Sequence, residues 1–218
     1  MRSAVRLTAR HSCASGVLSS PALIDASLRS YFGASAAQSL ADLGTHVLTA
    51  AHFLRDAGEA SQGIRVSSPI VHTSVAEWQV LPGTDIAVGR LQRAVHTTLL
   101  PIAPQTRVGA QVISCGFSGQ GTLTAEQLVP RLVRSAVMCE LPWILSKDLR
   151  TRARHGALLL PLGLLWARKG DSGGAVISEG KLIGLQSMVA MPLGIPIGVA
   201  GVNLLGPHLP ALKAAMNR

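Results

Sequence analysis

The segment KGDSGGAVI, residues 169–177, carries the most informative pattern in the chain. It places Ser172 among the glycines Gly170, Gly173 and Gly174, immediately before a short apolar run. Glycine permits backbone conformations that a Cβ would hinder, so this loop can aim the amides of Gly170 and Ser172 at one point. Amides arranged in this way stabilise a developing oxyanion. The segment therefore predicts a nucleophilic serine on a rigid loop at the start of a strand.

Two earlier segments supply the partners that such a serine requires. THVLTAAHFL, residues 45–54, ends an apolar strand near His52, and PGTDIAVGRL, residues 82–91, begins one at Asp85. A serine hydroxyl is a weak nucleophile at neutral pH, so a base such as histidine must take its proton. A buried carboxylate on the second ring nitrogen fixes the tautomer of that histidine. The order His52, Asp85, Ser172 therefore predicts acyl transfer by a catalytic triad.

The motifs VLTAAH, TDIAV and GDSGG, in this order, resemble the three signature segments of the chymotrypsin/trypsin-like serine proteases. The resemblance implies that His52 is the general base, Asp85 the orienting acid and Ser172 the nucleophile. It implies an oxyanion hole formed by the amides of Gly170 and Ser172. The implied fold is all-β, with two packed six-stranded antiparallel β-barrels and the triad at their junction.

The same resemblance assigns residues to the substrate cleft. Ser187, in the segment GLQSM at 184–188, is expected to support the aspartate, and the backbone of residues 187–189 to pair with the substrate. Trp166, six residues before the serine, is expected at the floor of the primary pocket, with Val189 on its wall. A cationic side chain buried without a carboxylate is costly, which argues against cleavage after Arg or Lys. We expect cleavage after small or medium apolar residues.

Asp171 lacks the partner that zymogen-activated members of the family provide. No basic residue followed by Ile-Val-Gly-Gly occurs in the chain, so no freed amine is expected to pair with this carboxylate. Arg168, Lys169 or a buried backbone donor could support Asp171 instead. We therefore predict activity without a newly cleaved N-terminus. In the alternative, trimming frees an amine that orders the oxyanion loop.

Composition agrees with a turn-rich β protein. The chain has 218 residues, of which 48% are hydrophobic, and this excludes a disordered chain. Its 22 glycines and 12 prolines favour many turns over long helices. We place the first barrel at about residues 30–100, starting with a strand at 30–35, and the second at about 107–204. A short C-terminal helix is expected at about residues 205–217.

The N-terminal segment, residues 1–29, is expected to be poorly defined and dispensable for catalysis. Arg6, Arg10 and His11 interrupt its apolar residues, so it has no clear signal peptide. Prolines make the charge-free stretch 182–212 a poor membrane-spanning helix. Localisation stays open, although the resemblance implies an exported or extracellular protein.

The chain is basic, with 20 Lys and Arg against 11 Asp and Glu and a net charge of +9. The basic residues are scattered and the aromatic ones make up only 3%, so we expect no specific nucleic-acid partner. The charge could serve solubility or attract an acidic surface or polymer. We expect a monomer that acts on a polypeptide substrate, without a cofactor or a metal.

Three cysteines, Cys13, Cys115 and Cys139, exclude a disulfide-dense scaffold. Cys115 and Cys139 fall on two expected neighbouring strands, where a cross-strand disulfide is conceivable. We favour two buried free thiols, because cysteine packs well as a small hydrophobe.

Two other functions fit the same motifs. A non-catalytic, protease-like binding domain would keep the fold, although the intact set of His52, Asp85 and Ser172 argues against it. An esterase would use the same triad, because ester and peptide hydrolysis both proceed through an acyl-enzyme.

Overall fold

A computed structural model describes residues 2–10, 12–31, 43–61, 63–120, 123–146, 149–190 and 198–218 of the chain. The strands in these ranges are β1 (Ala4–Thr8), β2 (Cys13–Ser19), β3 (Leu43–Ala50), β4 (Arg65–Ser68), β5 (Val71–Val80), β6 (Ile86–His96), β7 (Gln111–Gly116), β8 (Arg131–Leu145), β9 (Arg152–Pro161), β10 (Ala175–Ser178), β11 (Lys181–Val189) and β12 (Ala200–Leu204). The α-helices are α1 (Pro21–Tyr31), α2 (Ala51–Ala57) and α3 (Leu209–Met216).

The strands form two closed six-stranded antiparallel barrels, which confirms the expected all-β fold. Neighbouring strands follow the order β1-β2-β3-β6-β5-β4 in the first barrel and β10-β11-β12-β9-β8-β7 in the second. Each sheet closes because β1 pairs with β4 and β10 pairs with β7. Closure removes the unpaired edges of a sheet. Alternating side chains fill the interior, as in β7, where Val112 is buried and Ile113 is exposed.

The expectation that residues 1–29 are poorly defined was wrong, because the described part of this segment forms two strands of the first barrel and most of α1. Val5, Leu7 and Val17 are fully buried in that barrel. In the sequence, Arg6 interrupts the apolar residues of this segment and hides its strand pattern. Arg6 is largely buried, and its guanidinium donates a hydrogen bond to the carbonyl of Gln120. A chain without these residues loses part of the barrel that carries the site.

The strand expected at residues 30–35 was also wrong for the two of its residues that the structure describes. Ser30 and Tyr31 form the end of α1, and the remaining four positions lie outside the described residues. The first barrel instead begins at Ala4 and its last strand ends at His96.

One apolar cluster joins the two barrels to the C-terminal helix. Its burial stabilises their relative placement, since each fully buried aliphatic side chain contributes about 1.5–3 kcal/mol. Helix α3 confirms the expected C-terminal helix, and a proline lies in its first turn, where the missing N–H is tolerated. The cluster includes Leu48, Ile86, Phe117, Leu182, Leu185, Leu209 and Leu212.

Cys13, Cys115 and Cys139 are all free thiols, which confirms the preference for unpaired cysteines, but of the expected pair only Cys115 is buried and Cys139 is half-buried. In the β7–β8 pairing Cys115 lies opposite Leu132, seven residues before Cys139, so the strand register separates the two sulfurs. Burial raises the pKa of Cys115 to about 11, and its thiol therefore stays protonated at neutral pH.

The charge-free stretch 182–212 supplies most of β11, all of β12 and the beginning of α3. Among the described residues, no helix has the length and apolar character needed to cross a membrane.

Candidate active site

His52 and Asp85 meet where two strands of the first barrel end. His52 lies in the first turn of α2, directly after β3, and Asp85 immediately precedes β6. The His52 backbone N–H donates to Asp85 Oδ1 at 2.7 Å, and His52 Nδ1 lies 2.8 Å from Asp85 Oδ2. Since a carboxylate only accepts, Nδ1 carries the proton in this contact and Nε2 is left with its lone pair. The arrangement orients the imidazole as a proton acceptor.

Ser187 brings the second barrel into the site. It lies on β11, and its hydroxyl donates to Asp85 Oδ2. Asp85 is 2% exposed, so its carboxylate receives hydrogen bonds in place of water. This contact ties the acid of one barrel to a strand of the other.

Ser172 lies on the loop before β10, close to the same strand. Its hydroxyl is 3.5 Å from the carbonyl oxygen of Ser187, a weak contact. Within the described ranges it makes no hydrogen bond with His52. Such bonds are often long in unliganded enzymes and tighten only with substrate.

The loop itself is held from both sides. The Ser172 carbonyl accepts from the Ser15 amide at 2.8 Å, and the Gly173 amide donates to the Gln186 carbonyl at 2.6 Å. Gly173 has φ +80°, and a Cβ there would lie 2.1 Å from Thr49 Oγ1. Only glycine fits this position, which explains the residue that follows the serine.

The amides of Gly170 and Ser172 are the available donors of this loop. The neighbouring amides of Asp171, Gly173 and Gly174 donate to backbone carbonyls, whereas those of Gly170 and Ser172 have no protein acceptor in the part of the chain described. Gly170 adopts φ +99°, a conformation that favours glycine. These two N–H groups can therefore donate hydrogen bonds to an anionic ligand.

Asp171 is buried and receives a partner that the sequence analysis missed. Arg131 Nη1 lies 3.1 Å from its Oδ2, forming an ion pair. The backbone amides of Arg168 and Ser118 donate to the same carboxylate at 2.9 and 3.0 Å. A backbone donor was anticipated, but Arg168 contributes its amide rather than its side chain. No local pattern marks Arg131, which is 40 residues away in the chain.

Gly116 makes room for this ion pair. Arg131 opens β8 and lies opposite Gly116 on β7. A Cβ on Gly116 would lie 2.3 Å from Asp171 Oδ1, so a side chain there would displace the carboxylate. Arg131 also contacts the Ser118 hydroxyl and, at 3.4 Å, the carbonyl of Trp166. Arg131 therefore connects the loop around Ser172 with the segment that contains Trp166.

The two residues assigned to the primary pocket lie on neighbouring segments. Trp166 is partly exposed, and its Cβ lies 3.6 Å from where a Cβ on Gly198 would stand. Val189 ends β11 opposite Ala200, two residues after Gly198. Residues 191–197, which lie between Val189 and Gly198 in the chain, are outside the described ranges.

Two further histidines are core residues. Burial lowers the pKa of both His46 and His208, so both are neutral at pH 7. In the described portion of the chain, no group of three or more His, Cys, Asp or Glu side chains could hold a metal ion.

Known proteins resemble the chain in sequence profile and in fold. A family model described as a trypsin-like peptidase domain matches residues 35–185. The active form of the Rv3671c protease from M. tuberculosis is 16% identical with a TM-score of 0.67, covering 98% of this chain and 79% of that one. Kallikrein-related peptidase 10 is 15% identical with a TM-score of 0.68, covering 99% and 95%.

The serine endoprotease from Yersinia pestis is 14% identical with a TM-score of 0.63, covering 99% of this chain and 63% of that one. At sequence identities this low, the similarity to these three structures shows a common fold. No curated protein sequence matches the chain.

Proposed function

Because the chain belongs to the trypsin-like peptidase family, we propose that it is a serine endopeptidase with His52, Asp85 and Ser172 as its catalytic triad. The observation that carries this proposal is the position of His52. Both oxygens of the buried Asp85 carboxylate hold it, with Nε2 left free to act as a base. This is the arrangement that acyl transfer by serine requires.

The proposed reaction begins with rotation of the Ser172 hydroxyl away from the Ser187 carbonyl. The contact it leaves is 3.5 Å long, so little is lost. His52 Nε2 takes the hydroxyl proton while Oγ attacks the scissile carbonyl carbon. The carbonyl π electrons move onto oxygen, and the amides of Gly170 and Ser172 donate to this oxyanion.

Collapse of the tetrahedral intermediate breaks the carbon–nitrogen bond. His52 returns its proton to the departing amine and leaves an ester between Ser172 and the acyl fragment. Water then attacks that ester with His52 again as base, releasing the acid and restoring the hydroxyl. Asp85 stays ionised and stabilises the imidazolium in both halves.

The backbone of residues 187–189 is proposed to hold the substrate as an added strand. In this region β11 pairs with β12 on one side, through Met188 opposite Gly201 and Val189 opposite Ala200. The described β10–β11 pairing ends at Leu185, which leaves the other side of residues 187–189 available. Extended peptides bind such edges through main-chain hydrogen bonds.

Substrate preference is predicted from the residues near the proposed pocket. Trp166 supplies no carboxylate there, and Asp171 is already paired with Arg131. A lysine or arginine side chain would therefore be desolvated without a counter-ion. We expect a peptide library to give kcat/KM for Ala or Val before the cleaved bond about 100-fold above that for Arg. A profile dominated by Arg or Lys would contradict this pocket assignment.

Fluorophosphonate labelling followed by peptide mapping tests the proposed function. We expect a single modified residue, Ser172, and no labelling of a His52→Ala variant, because the hydroxyl reacts only when a base activates it. Absence of labelling in folded wild-type protein would favour the non-catalytic binding domain. Labelling with turnover of esters but not of peptides would favour an esterase.

A further inference from the structure

The outer surface of the second barrel carries exposed apolar side chains that the proposed catalysis does not use. Ile113 on β7 lies opposite Arg134 on β8, and Ala136 on β8 lies opposite Leu160 on β9. The Leu162 amide donates to the Arg134 carbonyl at 2.9 Å and continues this row. Paired residues of antiparallel strands project to the same side of a sheet. Three aliphatic side chains therefore surround Arg134.

The loop after β9 adds two exposed leucines between Leu162 and Trp166 in the chain. Leu164 is 92% exposed and Leu165 is 53% exposed, and Trp166 follows directly. Leu132, two residues before Arg134 on β8, is half exposed and projects to the same side. The leucine face is defined as Ile113, Leu132, Arg134, Leu160, Leu162, Leu164 and Leu165.

The leucine face is more than a scatter of single exposed residues, because strand register places Ile113, Leu160 and Leu162 in one row with Arg134. Its six aliphatic members each expose at least 41% of their surface. Contiguous apolar surface of this kind marks a contact with another protein or with a membrane. The charge of the face distinguishes between these two.

Basic residues accompany the leucine face, and none of its members is acidic. Arg134 lies among the aliphatic side chains, while Arg168 and Lys169 are exposed just beyond the loop. The whole chain has a net charge of +9. A two-fold contact centred on Arg134 would bring this residue toward its own counterpart, and burying a guanidinium without a carboxylate is costly. An anionic lipid bilayer complements both the aliphatic and the basic side chains, because its interior is apolar and its headgroups are negatively charged.

We propose that the leucine face docks on an anionic lipid bilayer. The leucines enter the boundary between headgroups and acyl chains, and Arg134 extends to a lipid phosphate. Trp166 and the loop around Ser172 follow the face in the chain, so docking brings the proposed active site close to the membrane. Protein segments near the lipid surface would then be the favoured substrates. The docking itself does not depend on peptidase activity.

Co-sedimentation of the full chain with lipid vesicles tests this proposal. We expect strong binding to phosphatidylcholine vesicles that contain about one third phosphatidylglycerol, and weaker binding to phosphatidylcholine alone. A Leu164→Ser/Leu165→Ser variant should lower the partition constant about ten-fold or more. Arg134→Gln should lower it about five-fold, on the anionic vesicles only.

Ile70→Ser is the matched control. Ile70 is 54% exposed in the turn between β4 and β5 of the first barrel, and its loss should leave binding unchanged. Failure of the wild type to sediment with anionic vesicles would overturn the proposal, as would equal binding of the Leu164→Ser/Leu165→Ser variant. A lipid-free dimer that this variant dissociates, seen by sedimentation velocity, would assign the face to a second copy instead. Lipid binding is measured without substrate, so neither result bears on the proposed proteolysis.

Discussion

Replacing Ser172 by alanine is expected to lower kcat on a peptide substrate by on the order of 10⁶-fold. The hydroxyl is the proposed nucleophile, so its removal takes away the atom that would form the acyl-enzyme. Its contact within the described structure is the weak one to the Ser187 carbonyl, so the thermal midpoint should change little. Steady-state kinetics and thermal unfolding of the same preparation measure the two effects.

His52→Ala should cause a loss of similar size, and the double variant should be scarcely worse than either single variant. Triad residues act as a unit, so loss of the first one already removes nearly all of the rate enhancement that depends on the triad. Ser178→Ala is the matched control, because Ser178 ends β10 and its hydroxyl donates an exposed hydrogen bond to the Gln111 carbonyl at 3.0 Å. Activity of Ser172→Ala within ten-fold of the wild type would eliminate the assignment.

Replacing Arg131 by methionine is expected to produce the second large effect. It leaves the buried carboxylate of Asp171 without its cation, and breaking such a pair typically costs about 3–5 kcal/mol. Asp171 lies between Gly170 and Ser172, so the amides proposed for the oxyanion hole lose their orientation. Loss of one oxyanion donor costs about 10²–10³-fold in kcat. Urea unfolding and kinetics below the unfolding transition measure both losses.

Two comparisons make the Arg131 prediction specific. Arg134→Met changes an exposed arginine three positions along β8 and should alter stability by about 0.5 kcal/mol or less. Arg131→Lys retains the charge and should recover part of the activity even if the methionine variant folds poorly. Acetylation of the N-terminal amine should leave the wild-type rate unchanged, because Arg131 already pairs with Asp171. Activity that survives Arg131→Met but disappears on acetylation would establish a zymogen mechanism.

Local sequence patterns were sufficient for the parts of the fold and site that depend on short segments. The apolar run after Ser172 predicted a strand, which the structure shows as β10, because strand alternation and flanking turns are encoded within a few residues. The glycines of the same loop predicted tight backbone geometry, and Gly170 and Gly173 both have positive φ. The two-barrel architecture required the family resemblance in addition, since strand pairing order is not local.

Long-range packing decided what these patterns missed. Arg6 looked like an interruption in an unstructured segment, yet its guanidinium bonds to a carbonyl 114 residues away and its strand closes the first barrel. A charged residue can be buried only when other groups supply its hydrogen-bond partners. Here the partner is distant in the chain, so the local pattern of apolar and polar residues does not identify it.

Local sequence was enough to identify the side chains suited to serine chemistry, His52, Asp85 and Ser172, and to place each beside an apolar strand. The contacts between distant segments appear only in the folded chain: Asp85 holds His52 with the help of Ser187, and Arg131 pairs with Asp171 beside Ser172. The two differ because the alternation of a strand depends on neighbouring residues, whereas a buried charge needs an oppositely charged partner that can come from anywhere in the chain. Barrel closure brought that partner to Asp171 from 40 residues away.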